Sequence, residues 1–144
     1  MEPVVMGRVT VKAVIENLED TFRSDRGELK DDAVRRIEIA DALVDTGATS
    51  LAMPKKHIEQ LGLRLRRMKN TLTAGGLRSV GVYEAVRLTI QDRDCIVDVV
   101  ELPNECPTLI GQIPLESMDW VVDPRGQRLI GNPAHDGKWM TETL

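Results

Sequence analysis

The sequence predicts an all-β fold, or one that is mostly β, with one or two short helices. Aromatic residues make up only 3% of the 144 residues, so aliphatic side chains that pack well on pleated sheets must build the core. Near the N-terminus, apolar residues alternate with mostly polar ones, which is typical of a strand with one buried face: Val9, Val11, Ala13 and Ile15. Asp123-Pro124-Arg125-Gly126 is a turn sequence between two short apolar runs and indicates a hairpin.

Further strands are predicted along the chain by runs of aliphatic and β-branched residues. These runs cover 35–44, 63–73, 80–90, 95–102 and 108–111, and the last hairpin joins 119–122 to 127–130. We expect the strand over 95–102 to neighbour the strand that ends at Gly111. The arms over 63–73 and 80–90 predict a second hairpin around Gly75-Gly76, since paired glycines permit positive φ at a tip.

Two short helices are predicted. Residues 54–62 place apolar side chains on one helical face, and Gly62 ends that helix. Residues 114–118 predict a helical turn entered through Pro114.

A chain of 144 residues is long enough for one hydrophobic core and too short for two ordinary domains, so we expect a single domain over 1–144. Residues 17–34 are rich in charge and contain Gly27, which predicts a long exposed loop. Such a loop is either simply solvated, the favoured interpretation, or binds a partner. Residues 132–144 predict a polar tail whose Trp139 docks on a surface, such as that of a partner subunit.

The charge pattern narrows the classes of partner. The net charge of -4 arises from 19 basic and 23 acidic residues that are mixed along the sequence, which argues against nucleic-acid or membrane binding. No apolar stretch is long enough to cross a bilayer, and the N-terminus has no signal-peptide pattern, so we expect a cytoplasmic protein.

No metal or other cofactor is expected. Cys95 and Cys106 match no zinc spacing and are expected to be free thiols. His57 and His135 are expected to be solvated, since no other ligand spacing lies near either of them.

A tight turn after a buried strand is the strongest functional signal. Asp45 follows the apolar run 42–44, and Gly47 and Ala48 let the backbone bend sharply without a bulky side chain. The carboxylate would emerge at the end of the strand among small groups, where a catalytic aspartate would lie. The alternative is that Asp45 only caps a turn, because Asp-Thr-Gly is also sound turn chemistry.

Three segments in order resemble the retropepsin-like aspartic proteases, and they are nearer to the cellular and prokaryotic members than to the retroviral ones. The segments are the Asp-Thr-Gly turn at 45–47, the glycine-tipped hairpin at 71–77, and the apolar strand ending in glycine at 108–111. The resemblance covers most of residues 35–123. It implies a closed β-barrel or sandwich with a flap hairpin that closes over substrate.

The resemblance also implies roles for single residues. Asp45 would be the catalytic acid, Thr46 would bond main chain across a dimer axis, Gly47 would offer its backbone to the carboxylates, and Ala48 would line the cleft floor. The flap would contain Ala74, Gly75, Gly76 and Leu77, and the supporting strand would contain Leu109, Ile110 and Gly111. Thr49 and Gln112 stand where the retroviral members carry an Asp–Arg ion pair, so both positions are neutral here.

The chemistry of this family requires two carboxylates, one protonated and one ionised. The sequence contains one Asp-Thr-Gly turn, so we expect a two-fold homodimer in which Asp45 of each chain shares one proton with its twin. The predicted function is an aspartic endopeptidase whose partners are itself and a peptide or protein substrate. The alternative is a non-catalytic dimeric module that holds a peptide on the same fold.

Overall fold

The computed structural model describes residues 8–141 and is dominated by β-strands. Nine strands are present in this range: β1 (Thr10–Asn17), β2 (Arg36–Val44), β3 (Leu51–Pro54), β4 (Leu65–Thr73), β5 (Gly76–Ile90), β6 (Arg93–Leu102), β7 (Leu109–Ile110), β8 (Trp120–Asp123) and β9 (Arg128–Gly131). Three short helices accompany them: α1 (Leu18–Asp25), α2 (Lys55–Gln60) and α3 (Gln112–Ser117). Single 3-10 turns lie at Asp31–Ala33 and Pro133–His135. The prediction of a mostly β fold is confirmed.

The main sheet has seven strands in the order β1-β2-β7-β3-β6-β5-β4. Strand β1 also pairs with β5, so the sheet curls round and closes on itself. Only β4, at the far end, lies outside this closed ring, while β8 and β9 form a separate two-stranded sheet. Closure removes the exposed edges of a sheet, and here it leaves the hairpin of β4 and β5 projecting from the barrel.

The core is aliphatic, as the low aromatic content requires. Strand β3 is buried along its whole length, with Leu51 and Met53 fully enclosed. Ile15, Leu88, Val99 and Ile110 from four other strands are also fully buried and belong to the same cluster. Strand β2, which precedes the Asp-Thr-Gly turn, is attached to this cluster by buried Ala42, with Ile37, Ile39 and Val44 packed against it.

The prediction of an exposed loop over 17–34 is wrong for its first half, which forms α1. The Asn17 side chain caps this helix by accepting a hydrogen bond from Asp20 N at 3.0 Å, and its amide donates to Leu61 O at 2.8 Å. Asp20 is buried and accepts bonds from the backbone N, Nε and Nη2 of Arg35. The charged residues of this segment predicted a solvated loop, but Asp20 is neutralised by Arg35, 15 residues further along the chain.

The prediction that strand 95–102 neighbours the strand ending at Gly111 is also wrong. Strand β7 lies between β2 and β3, parallel to the first and antiparallel to the second. Strand β3 therefore separates it from β6. A strand of two residues carries too little pattern to reveal its neighbours, and its position is set by pairing with the strand that delivers Asp45.

The C-terminal segment is more ordered than a polar tail. His135, expected to be solvated, is largely buried, with its Nδ1 2.6 Å from Asp119 Oδ2. Arg93 donates to Gly137 O at 2.6 Å, and Trp139 Nε1 donates to Ser117 O of its own chain at 3.2 Å. The segment up to Met140 is thus held against its own subunit by hydrogen bonds, while 142–144 lie outside the described residues.

The two predicted hairpins are present as β4–β5 and β8–β9, and the two helices predicted at 54–62 and 114–118 are present as α2 and α3. Cys95 and Cys106 are free thiols, and burial is the main cause that raises the pKa of Cys95 to about 11. His57 is half-buried on α2, 3.3 Å from the side chain of Gln60. No helix in the described part of the chain is long and apolar enough to cross a membrane.

Candidate active site

The backbone of Asp45 is held by the end of the parallel β2–β7 pair. Leu43 N donates to Thr108 O at 2.8 Å, and Asp45 N donates to Ile110 O at 2.9 Å. Val44 N donates in the other direction, to Val9 O at 2.9 Å. The aspartate therefore leaves the sheet at a defined point, while its side chain remains partly exposed.

The carboxylate of Asp45 is oriented by its own turn. Gly47 N donates to Asp45 Oδ1 at 2.9 Å, and Ala48 N donates to Asp45 O at 3.1 Å. The second oxygen, Oδ2, has no hydrogen-bond partner within residues 8–141. One oxygen is thus fixed by a backbone N–H, and the other is available to a second group.

The backbone N–H groups at the start of helix α3 form hydrogen bonds with the loop that follows Asp45, called the active-site loop below. Gly111 N donates to Ser50 O at 3.0 Å, Gln112 N to Ala48 O at 2.8 Å, and Ile113 N to Thr49 O at 2.9 Å. These donors have no partner inside the helix, and the loop carbonyls supply one for each. Three consecutive bonds therefore tie the turn after Asp45 to a helix that is itself packed on the core through Leu115.

Gly111 is required by the closeness of this contact. A side-chain carbon placed there would lie 2.5 Å from Ser50 O and 2.7 Å from Ala48 O. The backbone of Gly111 has φ -87 and ψ -176, a conformation that other residues adopt readily. The glycine is therefore needed for space and not for an unusual backbone angle.

The two neutral positions do not bond to each other through their side chains. The Gln112 amide donates to Glu116 Oε1 within the helix at 3.0 Å, and Thr49 is exposed. Their segments are joined by main-chain bonds instead, in which Gln112 N donates to Ala48 O and Ile113 N donates to Thr49 O. Main-chain bonds thus hold the loop where the retroviral pattern uses an ion pair.

The predicted flap is a two-stranded hairpin with a two-residue turn at Ala74-Gly75. Thr73 closes it, since its hydroxyl donates to Gly76 O at 2.9 Å and accepts from Gly75 N at 3.2 Å. Gly76 has φ +105, which favours glycine. Leu77 is 76% exposed at the tip, so this apolar side chain has no cover within the described chain.

The structure brings some of the predicted site residues together and leaves others apart. Ile110 O accepts a bond from Asp45 N in the turn over 45–48, Gly111 N donates to Ser50 O just after that turn, and Leu109 pairs with Leu43 just before it. No hydrogen bond within residues 8–141 joins the flap residues Ala74, Gly75, Gly76 and Leu77 to that turn.

Sequence reasoning missed several contributors. Ser50 and Ile113 act through backbone atoms, which carry no residue-specific signal. At the base of the flap, Tyr83 donates its hydroxyl to Glu101 Oε1 at 2.6 Å, and this bond with partial burial raises the pKa of Tyr83 to about 12. The only signal for it was a lone tyrosine in a strand.

The described residues contain no preformed metal centre. Across residues 8–141, no three side chains of His, Cys, Asp or Glu gather in a way that would hold a metal ion. The reactive group that this candidate site offers is the Asp45 carboxylate, which is oriented by the turn at Gly47 and is partly exposed.

The comparison with known families agrees with this geometry. The family model described as aspartyl protease matches residues 35–128, a span that runs from the start of β2 to β9 and includes Asp45, the flap and Gly111. No curated protein matches the chain. The Asp-Thr-Gly turn, the projecting hairpin and the glycine-ended strand all lie within the matched span. This chain belongs to the aspartyl protease family, with the retropepsin-like fold.

Proposed function

We propose that this protein is an aspartic endopeptidase that works as a homodimer, with one Asp45 from each chain in a shared site. The observation that carries the proposal is the Asp45 carboxylate, which has one oxygen held by Gly47 N and the other without a partner within residues 8–141. The exposed turn residues Thr46, Gly47 and Thr49 leave room for a second copy of the turn beside it.

The need for two chains follows from the chemistry. The ionised Asp45 takes a proton from a water molecule, and the protonated Asp45 of the other chain donates a hydrogen bond to the scissile carbonyl. The water oxygen bonds to the carbonyl carbon while the carbonyl oxygen takes the proton of the second Asp45. As the C–N bond breaks, the leaving amine takes the proton that the first Asp45 accepted from water, and the second Asp45 recovers a proton from the diol, which becomes the product carboxylic acid. Two neighbouring carboxylates cannot both ionise cheaply, so the pair holds one proton between them.

The fold supports the remaining requirements of peptide hydrolysis. The loop after Asp45 is fixed by three bonds from α3, which keeps the carboxylate in position and reduces the cost of orienting it during the reaction. The projecting β4–β5 hairpin offers a backbone against which an extended peptide can bind as an added strand. Leu77 at its tip is an apolar contact for the peptide or for the second flap.

The test compares the wild-type protein with Asp45→Asn on a diverse peptide library between mildly acidic and neutral pH. Mass spectrometry of the products should show internal cleavage by the wild type alone. Asp41→Asn is the matched control, because Asp41 is an exposed acid on β2, the strand that leads to Asp45, and this variant should cleave as the wild type does. Cleavage by Asp45→Asn at the wild-type rate would refute the mechanism.

A mixing experiment tests the shared site. Adding excess Asp45→Asn to the wild type should lower activity, because mixed dimers hold only one functional carboxylate. Adding Asp41→Asn in the same amount should not lower it. Peptide binding by both wild type and Asp45→Asn, with cleavage by neither, would instead support the alternative function of a non-catalytic peptide-binding module.

A further inference from the structure

The flap hairpin concentrates positive charge in a chain that is acidic overall. Residues 62–83 contain no Asp or Glu, whereas the whole chain has a net charge of -4. The basic residues of this segment are Arg64, Arg66, Arg67, Lys69 and Arg78. The sequence-based interpretation that charges are evenly mixed therefore does not hold for the flap.

Three of these cations form no ion pair with an acid in residues 8–141. Arg64 lies 3.2 Å from Glu84, and Arg67 lies 3.5 Å from Asp98. Arg66, Lys69 and Arg78 are exposed and form no ion pair within residues 8–141. An anionic partner could therefore pair with these three cations without first breaking an ion pair inside the chain.

The two faces of the hairpin differ in chemistry. Tyr83 is paired with Val99, which is fully buried, so its face of β5 continues the core face of the sheet. Strand alternation places Leu77 on that same face, and Leu72 lies opposite Leu77. Lys69 and Arg78 belong to the other face, together with Arg67. One face thus ends in exposed leucines and the other carries the cations.

Strand β4 also has an open edge. It pairs with β5 alone, and no other strand in the described chain covers its far side. In an antiparallel hairpin with a two-residue turn, the pair flanking the turn is hydrogen-bonded and the next pair is not. From the register Thr73↔Gly76, the residues that turn backbone N–H and C=O groups outward are Met68, Asn70 and Leu72.

We propose that the open edge of β4 binds an extended segment of the substrate in which acidic residues alternate with apolar ones. Added as a strand, such a segment would bond the outward backbone groups of β4. Its acidic side chains would lie on the face that carries Lys69 and Arg78, and its apolar side chains beside Met68 and Leu72. This deepens the proposed function, on which it rests, by naming a substrate class.

Two simpler explanations fit less well. Cations on an edge strand protect against aggregation. That role does not explain why an apolar side chain beside these cations, Leu72, is 79% exposed. Pairing of two β4 edges from two copies would set basic residues of one chain against those of the other, and like charges across a strand pair are destabilising. Charge complementarity thus favours an acidic peptide.

The test measures binding on the Asp45→Asn variant, so that the probe is not cut. A fluorescent peptide with alternating Glu and Leu should bind more tightly than its Gln counterpart, and added salt should weaken it. The double variant Lys69→Glu, Arg78→Glu should lose about fivefold in affinity, the scale expected for two exposed ion pairs. The double variant Arg125→Glu, Lys138→Glu, at two exposed positions outside the hairpin, is the charge-matched control and should bind normally.

A second probe separates strand pairing from general attraction of anions. The same acidic peptide with alternate backbone nitrogens methylated keeps its charge and loses donors, so it should bind much more weakly. Equal binding of the acidic and Gln peptides, or of the methylated and unmethylated peptides, would overturn the proposal. So would equal binding of phosphatidylserine vesicles or of a single-stranded oligonucleotide, since these would indicate a general anion-binding surface.

These experiments distinguish failure of the β4-edge proposal from failure of the proposed endopeptidase function. Acidic-peptide binding as described, with no cleavage by the wild type, would refute the endopeptidase and support the β4 edge as a peptide site. Cleavage of library peptides without enrichment of the acidic and apolar alternation, together with no effect of the Lys69 and Arg78 variants, would refute the β4 edge and leave the endopeptidase intact.

Discussion

Replacement of Gly111 by alanine is the sharpest test of how the active-site turn is held. The new Cβ would lie 2.5 Å from Ser50 O and 2.7 Å from Ala48 O, both backbone atoms that no rotamer change can move. The φ of -87 suits alanine, so the whole cost is steric. The loop must retreat from α3, which weakens the bond from Gln112 N to Ala48 O.

The magnitude follows from that geometry. Forcing a methyl group into a filled site costs about 1 to 3 kcal/mol, and each weakened backbone bond adds up to about 1 kcal/mol. We therefore expect the free energy of unfolding to fall by about 1 to 4 kcal/mol in urea titrations, the sum of these two effects. Because the loop carries Asp45, peptide cleavage should fall by about 100-fold even where the protein remains folded.

Gly75→Ala is the matched control for this change. A Cβ there would meet only side-chain atoms, the closest being Arg78 Nη2 at 3.4 Å, and Gly75 has no positive φ. Its unfolding free energy should stay within about 0.5 kcal/mol of the wild type. If Gly111→Ala were as stable as Gly75→Ala, the contact between α3 and the active-site loop would not matter as argued here.

Two further predictions concern stability. The hydrogen bonds from Arg35 are the main cause that holds the pKa of Asp20 below its ordinary value of 3.8. The stabilisation of the folded protein by these bonds is therefore complete above pH 3.8 and is lost as the pH falls through the lower pKa of the folded state. In urea titrations, the free energy of unfolding of the wild type should fall as the pH becomes acidic. Asp20→Asn should be less stable than the wild type at pH 7 and should lose less stability on acidification. Parallel pH profiles of the two proteins would contradict this. Arg93→Ala removes the donor to Gly137 O and the cation 4.1 Å from the Trp120 ring, so limited proteolysis should cut the C-terminal segment sooner than in the wild type. An unchanged cleavage time would show that other contacts hold the tail.

The sequence alone determined the parts of this protein that depend on local pattern. The strand before Asp45, the turn through Gly47 and the hairpin around Gly75-Gly76 were all predicted correctly. Alternation of period two, small residues at a bend and paired glycines are properties of a few consecutive residues, and they act through the backbone at the same place. The family and the position of the acid followed from their order.

The tertiary structure decided whatever depends on partners distant in the chain. Helix α1 required Arg35 to neutralise Asp20, and the two-residue β7 took its place from its pairing with β2 and β3. Gly111 could be predicted as the end of a strand, but its closeness to Ser50 O depends on two segments that meet only in the folded chain. Long-range contacts have no local periodicity, and for that reason the support of the active-site turn is visible only in the structure.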